Sequence, residues 1–437
     1  MPEPPTTASA LPPMSRPHAR IELSAWALLA VPNGVIAGAV SGVLVATVYA
    51  DGVAGWVLAL AVGLVTGAGP LANVSSIIWS RWSRGRDKIR SLAALQAVFA
   101  SAFLVAAVAP PSPAGLALLA AAVLTARIVW CGVVTIRASL WRANYSRRAR
   151  TAFVARVQAV VAVIVAVVGA AAGLLLDLDP RAQRWMFLAA AGFCLAGLVA
   201  LRRLKLRGQR RRLRAELAGG AENTFNLNSL KRILANDPNY RRYLGCLFVL
   251  GSGTLMATAP LILVLGRDLS VSAVTQVLIT GSLPTLLIPL ATPYWSRKLA
   301  ERHAIAYRAL LSRVFVAAAA AALAGATLSW LPLLWLSAAL QGIASAGGML
   351  GFSLGHDDFA PEARSVEYLS VHITLAGVRG LTAPLIGAAS YTVLEAWRPG
   401  AGAWSLALPL ALVSAGAVGF ARLERHLNAS RARAAMP

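Results

Sequence analysis

Two arginines and a histidine sit where a chain this apolar can least afford charge. Arg127 and Arg379 lie near the middle of long apolar stretches, one in each half of the sequence, and His372 lies two helical turns before Arg379. Gln158, Asn73 and Gln341 are further polar residues inside apolar stretches. A guanidinium at the centre of a bilayer costs about +3 kcal/mol on insertion scales, so such residues either mark a solute or ion site or are structural, bonded to backbone carbonyls. All 17 acidic residues fall in tails, loops or the ends of apolar stretches. With no carboxylate to neutralise them, Arg127 and Arg379 are expected to create a positive cavity that favours an anionic or polar organic solute. Arg137, Arg156 and Arg308 sit nearer the stretch ends, where long side chains snorkel to water. Gln158, Asn73 and Gln341 also suit interhelical hydrogen bonds.

The elements that must position these residues follow from composition. The chain has 437 residues, of which 58% are hydrophobic and only 13% charged, whereas a soluble domain carries about 25% charged residues. Mean hydropathy is +0.66. The apolar blocks are long enough to cross a hydrocarbon core of roughly 30 Å. Twelve spans are predicted. Span 1 covers Leu23–Ala50, span 2 Val53–Trp79, span 3 Ser91–Ala109, span 4 Ala114–Ile136, span 5 Phe153–Leu176 and span 6 Trp185–Leu201. Span 7 covers Tyr243–Leu265, span 8 Ser272–Trp295, span 9 Ala306–Leu328, span 10 Leu331–Gly351, span 11 Tyr368–Val393 and span 12 Ala403–Ala421. Pro32, Asn33 and Gly34 are expected to interrupt span 1. Cys131, Cys194 and Cys246 lie within spans and read as packing thiols.

The net charge of +24 would suggest nucleic acid in a soluble chain, but here the basic residues sit in short loops and tails. Arg81, Arg84, Arg86 and Lys88 follow span 2; Arg142, Arg147, Arg148 and Arg150 follow span 4; Arg297, Lys298 and Arg302 follow span 8. The turns after odd-numbered spans hold only Arg181, Arg184, Arg267 and Arg398 as basic residues. By the positive-inside rule both termini are cytoplasmic. Residues 1–22, rich in Pro, Ser and Thr, read as a disordered tail. The organisation is then a bundle over 23–201, a basic cytoplasmic linker over 202–242 with a short helix near Leu230–Leu234, a second bundle over 243–421, and a tail over 422–437. The linker's basic run suits anionic lipid.

The halves carry traces of duplication. At one constant offset Asn144-Tyr145 meets Asp358-Phe359, Ala149-Arg150 meets Ala363-Arg364, Asp87-Lys88 meets Glu301-Arg302, and Gln158 meets His372. Trp82-Ser83-Arg84 meets Trp295-Ser296-Arg297 after a one-residue slip. These matches occupy equivalent loops of each half, as in a duplicated transporter with its site between the halves.

With six plus six spans, a basic central linker and the loop Trp82-Ser83-Arg84-Gly85-Arg86-Asp87-Lys88, the chain resembles the major facilitator superfamily. That loop is similar to the family's signature between its second and third helices, without the early glycine of the usual pattern. Arg127 is similar to the family's helix-4 arginine, with Gly132 one residue later than the usual glycine. The Gly-Pro step of the antiporter signature is missing from span 5, where Gly169 and Gly173 stand. The resemblance implies an all-α integral membrane fold of two pseudo-symmetric six-helix bundles. It implies secondary transport by alternating access in the plasma (inner) membrane, with Asp87, Arg84, Glu301 and Arg302 as a cytoplasmic gate. The expected partners are a small solute, a coupling ion and membrane lipid, the chain acting as a monomer; nucleic acid, a cofactor and a metal are not expected. A non-transporting receptor or assembly subunit on the same scaffold is the rival reading. A membrane enzyme is disfavoured, since His356-Asp357-Asp358 is the nearest approach to a catalytic cluster and lies in a repeat-derived loop.

Overall fold

A computed structural model describes residues 16–218, 227–360 and 365–434. Among them are 12 helical spans long and apolar enough to cross a membrane. They are α1 (Arg16–Val48), α2 (Gly55–Ser83), α3 (Lys88–Ala107), α4 (Pro113–Asn144), α5 (Ala149–Leu178) and α6 (Pro180–Arg202). The second set is α7 (Pro238–Asp268), α8 (Ala273–Glu301), α9 (Ala304–Thr327), α10 (Leu331–Leu354), α11 (Glu367–Trp397) and α12 (Gly402–Ala429).

Each half packs by the same plan. In the first, α1 lies against α5 and α6, α2 against α4, and α3 against α4 and α6; in the second, α7 lies against α11 and α12, α8 against α10, and α9 against α10 and α12. The duplication reaches single side chains. Trp79 of α2 donates its indole N–H to the Ile128 carbonyl at 2.9 Å, and Trp295 of α8 donates to the Ile343 carbonyl at 2.8 Å. Each indole rests on a glycine, Gly132 or Gly347, that also meets a leucine of the third helix in its half, Leu95 or Leu311. A side chain at either glycine would collide with that ring. Trp79, rather than Trp82, is therefore the structural counterpart of Trp295. The partner of Asp87 also changes: Asp87 caps the start of α3 by accepting from the Ile89 and Arg90 N–H groups, and His303, not Glu301, caps α9 by accepting from Ile305.

The interruption in α1 falls a few residues after the expected Pro32, Asn33 and Gly34, which stay inside the first helical segment. The helical segments are Arg16–Val35 and Gly38–Val48, and the break leaves the Ile36 carbonyl outside the helix ladder. At the other side of that helix the expected tail is wrong: residues 16–22 are the first turns of α1, with Glu22 fully buried. The linker holds a helix over Gln209–Ala218 and a second over Leu227–Asn236, which contains the expected Leu230–Leu234. The tail expected over residues 1–15, part of the linker (219–226) and the Ala363-Arg364 match lie outside the described residues.

The halves meet along α2 with α11 and α5 with α8. Glycines permit the first contact: a methyl group at Gly67 would reach the Gly380 carbonyl at 2.6 Å, and one at Gly380 would meet Leu71 N at 2.6 Å. The second is fixed by Asp177 at the end of α5. Its carboxylate accepts from the Ala273 N–H at 2.6 Å and the Val274 N–H at 2.9 Å, at the positive start of α8. Packing between the halves follows the Gly55–Ala72 part of α2 and not its Ser76–Ser83 part. The bundle is closed at the Asp177 end and parts toward the end bearing Arg84 and Glu301.

Candidate functional site

The polar residues of the second half converge on a cavity of about 480 Å³ between α7, α9, α10 and α11, with α2 of the first half closing one side. Arg379, His372, Gln341 and Asn73 all line it, as does Arg308. Arg379 of α11 is 7% exposed and donates to the Leu247 carbonyl of α7 at 2.6 Å. Its guanidinium occupies the space a side chain at Gly251 would fill. Arg308 of α9 is 4% exposed, donates to the Tyr243 hydroxyl at 3.4 Å and lies against Gly351. His372 is 1% exposed, packs its ring 4.4 Å from that of Phe352, and has no hydrogen-bond partner on either nitrogen. The Nε of Arg379 also lacks one. None of the lining residues is acidic. Buried hydrogen-bonding atoms without partners are costly, so the arrangement stores donors that a bound anion can satisfy.

Arg127 and Gln158 do not line this cavity. Arg127 donates to Asn33 Oδ1 at 3.0 Å and to the Ile36 carbonyl freed by the break in α1. It staples the broken helix to α4. Gln158 is exposed on α5. The pair expected to share one cavity, Arg127 with Arg379, is thus replaced by Arg308 with Arg379, both in the second half. Arg308 was expected to snorkel. The signal that marks it is register: Arg308, Ser312 and Phe315 fall on one face of α9, and all are buried.

The first half hides a different charge cluster. Glu22 accepts hydrogen bonds from the Trp26 indole at 3.3 Å, from the Tyr145 hydroxyl at 2.7 Å, and from the Trp141 indole. The Arg137 guanidinium lies 4.6 Å over the Trp26 ring and 4.4 Å over the Trp141 ring. Arg137 is 7% exposed and does not snorkel. Both charges repeat one spacing, Glu22 with Trp26 and Arg137 with Trp141 four residues apart, which places each ionic group beside its own indole on a helix face.

Among the gate residues, Asp87 serves as a helix cap. Glu301 is exposed and pairs with Lys298 at 2.9 Å, and Arg302 is exposed beside it. The acid that engages the loop after α2 is Glu216 of the linker helix. It pairs with buried Lys88 at 2.8 Å and accepts from the Gly85 N–H at 2.9 Å, while Arg84 Nε donates to the Glu216 carbonyl at 3.3 Å. Partial burial works against ionisation of Glu216, but the Lys88 and Gly85 hydrogen bonds prevail and hold its pKa below the usual value. Leu217 fills the space beside Gly85, whose φ of 66° suits glycine.

No protein-family model matches the chain, and no curated protein matches it in sequence. Solved structures do match its fold. The chain is similar to the POT family transporter PepTSo, with TM-score 0.68 and 11% identity over 94% of this chain and 98% of that one. It is similar to the nucleoside transporter NupG, with TM-score 0.64 and 13% identity over 93% and 98%. The inward-open xylose transporter XylE from E. coli matches with TM-score 0.63 and 10% identity over 93% and 95%. The chain shares the twelve-helix fold of these transporters.

Proposed function

We propose that this chain, folded as major facilitator transporters are, is a secondary transporter that moves a small organic anion by alternating access. The observation that carries the reading is the cavity between the halves, where Arg308, Arg379 and His372 stand with no acid among the lining residues and where His372 and the Arg379 Nε lack hydrogen-bond partners. An anion bridging the two guanidinium groups would offset the cost of burying them only while bound, which suits a site that must also release. Asn73 and Gln341 would hydrogen-bond the polar remainder of the solute. Arg127 acts in the scaffold, and Gln158 has no part in the site.

The basic end faces the cytoplasm in this proposal, with both termini and the linker on that side, in the plasma membrane. The bundle, joined at the Asp177 end, is then open inward. The loop after α2 is one half of the cytoplasmic gate. Asp87 stiffens it by capping α3, Arg84 and Lys88 tie it to the linker through Glu216, and Glu301 with Arg302 form the matching rim of the second half. A coupling ion drives the cycle, and the chain works as a monomer.

The test is uptake of organic monoanions and of their uncharged analogues into proteoliposomes, with and without an imposed proton gradient. Losing one hydrogen bond to a charged group costs about 1.5–3 kcal/mol, so Arg379→Gln and Arg308→Gln should each raise the half-saturating anion concentration roughly 10- to 100-fold. Normal transport of a neutral or cationic solute by both variants would overturn the assignment. Binding without flux in any arm would make the chain a receptor instead.

A further inference from the structure

A second concavity lies outside the transport pathway. Its volume is about 880 Å³, and it sits between the first turns of α3 and the segment Arg202–Gln209 that leaves α6. The floor is apolar, made by Ala93, Ala94 and Ala97 of α3 with Leu204 and Leu206. The rim is basic: Arg90, Arg202 and Lys205 line it, all three exposed, and Asp87 is the one acid among the lining residues. Asp87 accepts from the Ile89 and Arg90 N–H groups through Oδ1, and its Oδ2 lies 3.9 Å from Arg90 Nε, so one charge of the rim is partly offset and two remain. The groove therefore presents net positive charge above a hydrocarbon floor.

The segment forming its far wall is pinned. Asn144 at the end of α4 donates to the Lys205 carbonyl at 3.1 Å and accepts from the Arg207 N–H at 3.0 Å, and Leu204 is 3% exposed. The groove is thus preformed rather than a gap beside a loose loop. Its depth in the membrane is set by the helices that bound it: α3 begins at Lys88 and α6 ends at Arg202, so the basic rim lies at headgroup level. From the floor the surface runs on to Val98 and Leu104 of α3 and Val199 and Leu195 of α6, each 47–56% exposed and facing outward from the bundle.

We infer that this groove is a binding site for an anionic phospholipid, its phosphate held by Arg90, Arg202 and Lys205 and one acyl chain laid along Ala93, Ala94 and Ala97. A soluble phosphate would use the rim and leave the apolar floor idle. The continuity of that floor with the lipid-facing surface selects the lipid. The site is distinct from the proposed transport cavity, which shares none of its lining residues.

The experiment reconstitutes the protein in nanodiscs of equimolar phosphatidylglycerol and phosphatidylcholine and counts the lipids retained after mild detergent extraction, by native mass spectrometry. The wild type should retain phosphatidylglycerol preferentially. Each basic side chain near a charged surface contributes enough that Arg90→Gln and Lys205→Gln should each cut the preference roughly fivefold, while Arg90→Lys should keep it. Ala97→Trp, which fills the floor and leaves the charges, should reduce retention of both lipids at the site. Melting in phosphatidylcholine alone checks that the variants are folded, which their exposed positions favour. An unchanged preference in the Arg90→Gln, Lys205→Gln double variant overturns the site. Displacement of phosphatidylglycerol by millimolar inorganic phosphate, with Ala97→Trp binding as the wild type does, overturns the lipid and leaves a phosphate site.

Discussion

The two halves share a packing plan yet treat buried charge in opposite ways. The first half keeps one of its buried arginines near an acid: Glu22 sits with Arg137 among Trp26, Trp141 and Tyr145, while Arg127 is held by Asn33 and the Ile36 carbonyl away from the cavity. The second half places Arg308, Arg379 and His372 around a cavity whose lining includes no acid. The shared scaffold is visible in the matched seats of Trp79 and Trp295, and the proposed solute site draws its cations from one half alone. A rocking-bundle transporter gains from that division, because one half can act as a rigid body while the other carries the responsive site.

The sharpest way to break the comparison is to remove Glu22. Glu22→Ala leaves Arg137 buried without its counter-charge and strips the acceptor from two indoles and a phenol. Leaving a buried donor without its acceptor costs about 1–3 kcal/mol, and three donors lose theirs, so the melting temperature in detergent should fall steeply. Arg379→Gln, by contrast, deprives no carboxylate of a partner and should leave melting unchanged or raised while impairing transport. If both variants melt alike, the two halves do not differ in the way described.

Much of this was legible before the structure. Twelve spans and the pairing of halves follow from hydropathy and charge, a break in span 1 is expected a few residues before the place where it falls, and four of the six candidate solute residues, singled out by the price of intramembrane polarity, line one cavity. What sequence could not reveal is which face of a helix a residue occupies when neighbours on every side are apolar. Arg127 and Arg379 look alike as intramembrane arginines, yet the carbonyl freed at Ile36 captures one and the open Gly251 position admits the other. Glu22 escaped because it precedes the first apolar run by a single residue; helix formation back to Arg16, and the shelter of Trp26 and Trp141, are tertiary facts. The Asp87 and Glu301 match failed because a helix start can be capped by Asp or His alike, so structural equivalence passed to His303 without any likeness of charge.

A smaller effect tests what the halves have in common. Trp79→Phe and Trp295→Phe each remove one indole-to-carbonyl hydrogen bond while keeping most of the packing on Gly132 or Gly347. Each should cost about 1 kcal/mol, Trp79 somewhat more because its indole also donates to the Ser75 hydroxyl at 3.0 Å, measured as shifts in thermal stability of the purified protein. A loss confined to one of them would mean that the repeated geometry is not a repeated energy.

The smallest expected effect concerns the two loops at the open end, where the halves diverge again. Glu216 ties the linker helix to the first-half loop through Lys88 and Gly85, whereas Glu301 reaches only Lys298 within its own exposed helix turn. Glu216→Gln keeps the shape and loses the charge opposite Lys88, a change of about 1 kcal/mol for a partly exposed pair. Glu301→Gln should leave stability as it is. The pH dependence separates a charge effect from a packing effect. The Glu216 carboxyl is held below its ordinary value of 4.5, so ionisation stabilises the folded protein above that value, and the gain disappears as pH falls through the depressed folded-state pKa. Wild type and Glu216→Gln should therefore differ at neutral pH and converge in acid, in parallel melting series. A difference that persists in acid would show that Leu217 packed beside Gly85, and not the ion pair, holds the linker helix to the first half.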